Sequence, residues 1–438
     1  MSASDSAFTP PASRPPPAGG GVLIKNARIL DPVTGTDAVG CLGFRAGRID
    51  YRGLRPPRTQ YGEVIEAKGL WLMPGVTDLC ARMREPGHTQ KADMRSESAA
   101  ALAAGVTAVC LPPDTRPVID NTAVVNRVNR IAKAAAGTYV YMLGALTKGL
   151  EGEALSEMSA LKQAGCVGVG NGLAPVANAL IARRALEYAS SLGLTVHVVP
   201  LDPSLANGGC AHEGAVATRL GLTSIPVAAE AMALRQWISL VEDTGARVHF
   251  GRLSSARGVE LLQSAQRRKL PLTADVAAHQ LFMTDADLDG FNAMAHVVPP
   301  LREARDRDAL RQALKDGSIG AICSDHQPHE ADAKINPLPL TEPGISGLET
   351  LLPLGLRLVH EGLLTPLQLA ARLSHGPARV LNLVRGALAA GAPADLTLVD
   401  PEVEWRLEPA RLHSRGRNTP FAGTVFRGRA VRAWLGAA

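Results

Sequence analysis

Short apolar runs broken by Gly and Asn open the chain at residues 22–29, 42–50 and 63–72, and similar runs close it at residues 395–400 and 424–434. Runs of this length and content read as strands. Strand-rich ends around a long middle predict one small β domain assembled from both termini. The middle alternates apolar strands with segments of helical period. Candidate strands fall at residues 75–79, 107–111, 139–143, 167–169, 195–199, 247–251, 270–274 and 319–323, with helical segments such as 121–135, 177–191, 227–242 and 259–269 between them. Eight strands with intervening helices are the count of a (β/α)8 barrel, whose chemistry sits at the C-terminal strand ends. The expected fold is therefore an α/β TIM barrel over residues 74–385, with a small β-sandwich domain made of residues 21–73 and 386–438. Residues 1–20, mostly Ser, Ala, Pro and Gly, are too poor in apolar side chains to offset ordering entropy and are expected to form a disordered tail.

Composition narrows the partners. The net charge is +5 over 438 residues, with no long Lys/Arg block and no interleaving of aromatic with basic residues, which disfavours nucleic acid. No stretch of eighteen apolar residues occurs and no secretory signal is visible, so neither a membrane nor export is expected. The six cysteines, Cys41, Cys80, Cys110, Cys166, Cys210 and Cys323, are scattered without a CxxC pair. They read as reduced thiols of a cytoplasmic protein.

The strand ends carry recognisable motifs. The first reads Asp78-Leu79-Cys80-Ala81-Arg82-Met83-Arg84-Glu85-Pro86-Gly87 and the last Ser324-Asp325-His326-Gln327-Pro328-His329. Between them lie Pro112-Pro113-Asp114-Thr115-Arg116-Pro117 and Pro299-Pro300-Leu301-Arg302; beyond them lie Pro343-Gly344-Ile345-Ser346-Gly347-Leu348-Glu349-Thr350 and Arg417-Asn418-Thr419-Pro420-Phe421-Ala422-Gly423. In order and spacing these resemble the dihydroorotase family of amidohydrolases over about residues 22–436: D-x-H-x-H-x-R-E-P-G, T-D-H-A-P-H, M-P-N-T-x-P and N-P-P-L-R.

The resemblance implies a binuclear zinc centre in active members, where two ions lower the pKa of a bridging water and polarise a cyclic amide. Its ligands are two His from strand one, a carboxylate from strand four, a His each from strands five and six, and an Asp from strand eight. At the matching positions this chain has Cys80, Arg82, Asn171, Val199, Arg252 and Asp325. Only Asp325 keeps the family residue. An Arg has donors only and stays protonated, so it cannot ligate. His197 lies two residues before Val199, which on a strand places it about 6–7 Å deeper, and it is read as structural. Two guanidinium groups where metals would sit oppose cation binding, and a buried Asp325 without a metal is expected to pair with Arg82 or Arg252.

The resemblance also implies a site for the substrate carboxylate. Arg84 and His329 keep it, Asp114 replaces its Asn with an anion, and Arg302 is a further candidate. The resulting expectation is a non-catalytic dihydroorotase-like subunit of pyrimidine synthesis, with Asp325 vestigial and no metal cofactor. It would be oligomeric and partner the catalytic subunit of aspartate transcarbamoylase, as inactive members of the family do. Two alternatives stand beside it: a cyclic-amide hydrolase with an atypical metal site, and a small-anion-binding module built on Arg82, Arg84, Arg252 and His329.

Overall fold

The computed structural model describes residues 20–437, and the expected tail, residue 20 apart, lies outside them. Eight strands form one sheet in chain order: Val76–Asp78, Val106–Leu111, Tyr139–Ala145, Gly168–Gly170, Thr195–Val198, Val248–Phe250, Leu272–Ala277 and Ala321–Cys323. Each pairs in parallel with the next. The ring closes just beyond the last strand, where His326 N donates to Cys80 O at 3.1 Å and Arg82 N donates to His326 O at 2.9 Å. The strands are short and almost wholly buried, as a parallel sheet covered by helices requires. The expected (β/α)8 barrel is therefore present.

The helices between the strands form where the sequence supplies caps and an apolar stripe. Thr122–Ala135 starts at Asn121, whose side chain accepts from the backbone N–H of Ala123 and Val124, and buries Val124, Val125 and Val128. Val227–Thr244 buries Leu234, Trp237, Ile238 and Val241 and stops at Gly245, where φ is +65°. Ala256–Arg267 begins at Ser255, whose hydroxyl accepts from Gly258 N.

Both ends of the chain build a second, seven-stranded sheet. The apolar run at 42–50 is not one strand. It divides into the antiparallel pair Thr36–Arg45 and Arg48–Gly53, because Ala46 and Gly47 both take positive φ and turn the chain. The run at 63–72 likewise splits into Glu63–Glu66 and Trp71–Pro74, each parallel to Val22–Asp31. Leu396–Arg406 then pairs antiparallel with both Trp71–Pro74 and Val425–Trp434. Alternation on Trp71–Pro74 links the two layers. Leu72 joins a core with Val22, Ile24, Leu42, Phe44, Leu396 and Trp434, while Trp71 and Met73 join the barrel core. Gly75 N donates to Asp395 O at 2.9 Å and the Thr397 hydroxyl to Gly105 O at 2.6 Å, fastening the sheet to the start of the barrel.

Candidate functional site

The C-terminal mouth of the barrel is centred on Asp325, which follows the eighth strand in a left-handed conformation (φ +43°) and is buried. Arg252, also left-handed at φ +59°, follows strand six and places Nη1 2.5 Å from Asp325 Oδ1. Arg82, from the end of strand one, reaches the same oxygen at 3.4 Å and gives its Nε to Asp114 Oδ2 at 2.8 Å. Gln327 Nε2 donates to Asp325 Oδ2 at 3.2 Å. Burial alone would raise the Asp325 carboxyl, but the guanidiniums of Arg252 and Arg82 prevail and hold it below its ordinary value. The expected pairing is present, and with both arginines at once.

The other positions have taken structural work. Cys80 Sγ lies 3.5 Å from Asp325 Oδ1, and burial pushes its thiol up to about 12, so it stays protonated. Asn171 Oδ1 accepts from Thr147 N and Oγ1, and its amide nitrogen donates to Pro175 O at 3.2 Å. A neutral amide thus ties loops together where the resemblance implies a carboxylate ligand. Val199 lines a cavity beside His197 and Asn171. His197 sits deeper, over Gly168, whose missing side chain makes room for it, and packs on His249 with ring centroids 5.2 Å apart. Burial holds His197 neutral. His249 bonds Thr273 Oγ1 and Asp275 Oδ2, both at 2.9 Å. One carboxylate already shared by two guanidiniums, a protonated thiol, an occupied amide and a Val do not fit a binuclear metal centre.

Arg84 and His329 are brought together. Arg84 Nε donates to Pro328 O at 3.0 Å, and its Nη2 lies 3.1 Å from His329 Nε2. Lys91 Nζ is 3.0 Å from His329 Nδ1, and His329 Nε2 also lies 3.0 Å from Pro343 O. Burial, helped by Arg84 and Lys91, lowers His329 to about 2, so the ring is neutral. Asp114 faces Arg82 instead. Arg302 is not placed with this group. Its guanidinium is drawn to Ser254 Oγ at 2.8 Å, His212 Nδ1 at 3.1 Å and Ile225 O at 3.3 Å.

That second location corrects the expectation that the chain has no place for a metal. His212, Glu303 and Asp306 hold their ligating atoms within 4.8 Å of one another, and imidazole with carboxylates is a donor set that divalent ions accept. His212 lies outside the motifs singled out above, and so does the pair Glu303 and Asp306. Their spacing of three at a helix start was the available signal, since it puts both on one face.

Family comparisons agree with this architecture. Residues 69–257 match a family described as dihydro-orotase-like, and residues 226–431 match the amidohydrolase family. The chain is 49% identical over 408 residues to a dihydroorotase-like protein of Pseudomonas aeruginosa, covering 93% of this chain and 96% of that protein. It is 42% identical over 417 residues to a dihydroorotase of Anaeromyxobacter dehalogenans, covering 95% and 96%. Among solved structures, L-hydantoinase from Arthrobacter aurescens shares the fold with a TM-score of 0.86 at 21% identity, over 95% of each chain. Dihydropyrimidinase from Brevibacillus agri does so with a TM-score of 0.82 at 20% identity, over 94% and 93%.

Proposed function

The chain belongs to the dihydroorotase-like amidohydrolase family, and within it we propose a non-hydrolytic member that serves pyrimidine synthesis as a structural partner of aspartate transcarbamoylase. The observation that carries this reading is the Arg252–Asp325–Arg82 cluster. The carboxylate that active members would use as ligand and proton shuttle is here held by two fixed cations. A second pattern supports it. The motif residues that persist are scaffold: Asn418 Nδ2 donates to Gln327 O and Gly344 O while its Oδ1 accepts from His329 N. Glu349 accepts from His413 N and Ser414 N. The metal positions changed and the groups that shape the mouth stayed, which is what selection for a surface, without selection for turnover, leaves behind. The test is to mix the purified chain with aspartate transcarbamoylase and measure mass by light scattering. A stable co-eluting complex, with no turnover of dihydroorotate or carbamoyl aspartate by the chain alone, is expected. Separate elution at micromolar concentration would defeat the partnership.

A second reading, a cyclic-amide hydrolase with an atypical site, is favoured by the relatives named dihydroorotase that match over nearly the whole chain. Turnover by the pure chain that is abolished by Asp325→Asn would support it over the first. The anion-binding module has less in its favour, because Arg82 and Arg252 are taken by carboxylates and Arg84 by a backbone carbonyl.

A further inference from the structure

Away from the Asp325 cluster, three buried polar atoms without a hydrogen-bond partner among the described residues belong to one neighbourhood: His212 Nε2, Asp306 Oδ2 and Arg302 Nη2. His212 and Asp306 are only 3% and 2% exposed, so bulk water does not satisfy them. Buried polar groups left unpaired in this way call for an explanation, and a bound ion or water is among the standard ones. Here the chemistry selects an ion. A side chain at Gly214 would touch His212, Asp285 Oδ2 and Glu303 Oε1, all within 3.7 Å of its Cβ, so glycine leaves the space between these groups open. Asp306 Oδ1 is fixed by Ala256 N at 2.8 Å, which leaves Oδ2 directed elsewhere. Glu303 Oε2 is held by the exposed Arg305 at 2.9 Å, leaving Oε1 for the cluster. Three carboxylates therefore surround a neutral imidazole, with Arg302 the buried cation against it.

We propose that His212, Glu303 and Asp306 form a binding site for one divalent first-row cation of the zinc or manganese type, separate from the Asp325 cluster. Two ligands at about 2.0–2.2 Å from one ion lie at most ~4.4 Å apart, so groups within 4.8 Å of one another need only close in slightly around it. The set of one imidazole and two carboxylates selects such an ion over calcium or magnesium, which favour all-oxygen sites. Arg302 gives the site its direction. Its Nη1 donates to His212 Nδ1, so Nε2 is the nitrogen left without a partner. For Nε2 to ligate, the ring proton moves to Nδ1 and Arg302 yields that one contact, keeping Ser254 Oγ and Ile225 O as acceptors. The site links the loop after strand five to the start of helix Ala304–Asp316, and an ion there would hold the two together.

The full chain, stripped with EDTA and dialysed, is titrated calorimetrically with Zn2+ alone, beside His212→Gln, Asp306→Asn and Asp325→Asn. One ion per wild-type chain is expected, with affinity at least ~tenfold weaker in the first two variants and unchanged in the third. No binding by the wild type, wild-type binding by His212→Gln and Asp306→Asn, or loss only in Asp325→Asn would overturn the proposal. If the buried variants fail to fold by circular dichroism, Glu303→Gln at the half-exposed helix start replaces them. It must weaken binding in the same direction, and wild-type affinity in it counts against the site.

Discussion

Asp325 shows what a single position at the barrel mouth contributes. Its carboxylate is buried, and its stability rests on Arg252 at 2.5 Å and Arg82 at 3.4 Å. Breaking a buried pair by removing one partner leaves an uncompensated charge and costs ~3–5 kcal/mol. Arg252→Met is therefore expected to lose stability of that order in urea unfolding at neutral pH, with an unchanged m-value. The sign with pH follows from the depressed Asp325 carboxyl. A carboxyl lowered in the folded state adds stability that is complete above its unfolded value, about 3.9, and is lost as pH falls through the lower folded value. The deficit of Arg252→Met should be full at pH 7 and shrink in acid. Asp325→Asn added to it should recover a good part. A variant within ~1 kcal/mol of wild type at pH 7 would show that the pair is not what holds the mouth. Much of this site was legible in the sequence, because Arg82, Arg252 and Asp325 sit at strand ends beside intact anchors. The Arg82–Asp114 pair was not, since Asp114 read alone is only an anion near a substrate position. Nor was the His212 cluster, in which His212 and Arg302 are 90 residues apart and no spacing rule connects them.

At the scale of elements, the helix Leu348–His360 depends on a residue outside itself. Its N-cap is Gly347, which has no side chain to accept from the first turn. His326 fills that role. Its Nδ1 accepts from Gly347 N at 3.1 Å and faces Leu348 N at 3.4 Å, while Nε2 donates to Glu97 Oε2 at 2.7 Å. Glu97 in turn accepts from Arg415 N at 3.0 Å, so one imidazole joins the first barrel helix, the last strand end and the returning C-terminal segment. His326→Ala would orphan two buried partners and is expected to cost ~2–4 kcal/mol. Hydrogen exchange should place the opening at residues 347–352 and 413–418, and protection unchanged there would contradict the capping role. The periodicity did not single out this helix, whose start was seen only as the motif at residues 343–350. It gave the barrel strands more surely, because buried parallel strands are short apolar runs that glycine or a turn delimits. It failed at residues 42–50, where Ala46-Gly47 carries no Asn-Gly or Asp-Gly signature and the turn between Thr36–Arg45 and Arg48–Gly53 hides inside an apolar run.

At the scale of the whole molecule, the question is whether the end-built sheet and the barrel unfold as one body. Trp71, Met73, Val399, Leu407, Phe426 and Ala430 from the sheet side lie in the same core as Val106, Leu111, Phe250 and Ile322 of the barrel. The opposite face of the sheet has its own core around Ile24, Leu42, Leu72 and Leu398. A strand such as Trp71–Pro74 cannot leave one core without opening the other, because alternate residues belong to each. The Gly75–Asp395 backbone bond and the Thr397 hydroxyl bond to Gly105 O add ties between the two layers. Shared packing of this kind favours a single cooperative transition. The chain supplies its own probe. Of its four tryptophans, Trp71, Trp405 and Trp434 lie in the sheet and Trp237 on a barrel helix. Trp237 is largely buried, so Trp237→Phe is a modest loss of volume that removes the barrel's fluorescence. In that variant, tryptophan emission reports the sheet and far-ultraviolet circular dichroism at the helical band reports the barrel. The two urea curves are expected to coincide in midpoint and slope. If emission changes at a clearly lower urea concentration than the helical signal, the sheet opens first, the Trp71–Pro74 strand does not couple the two cores, and each part has a stability of its own.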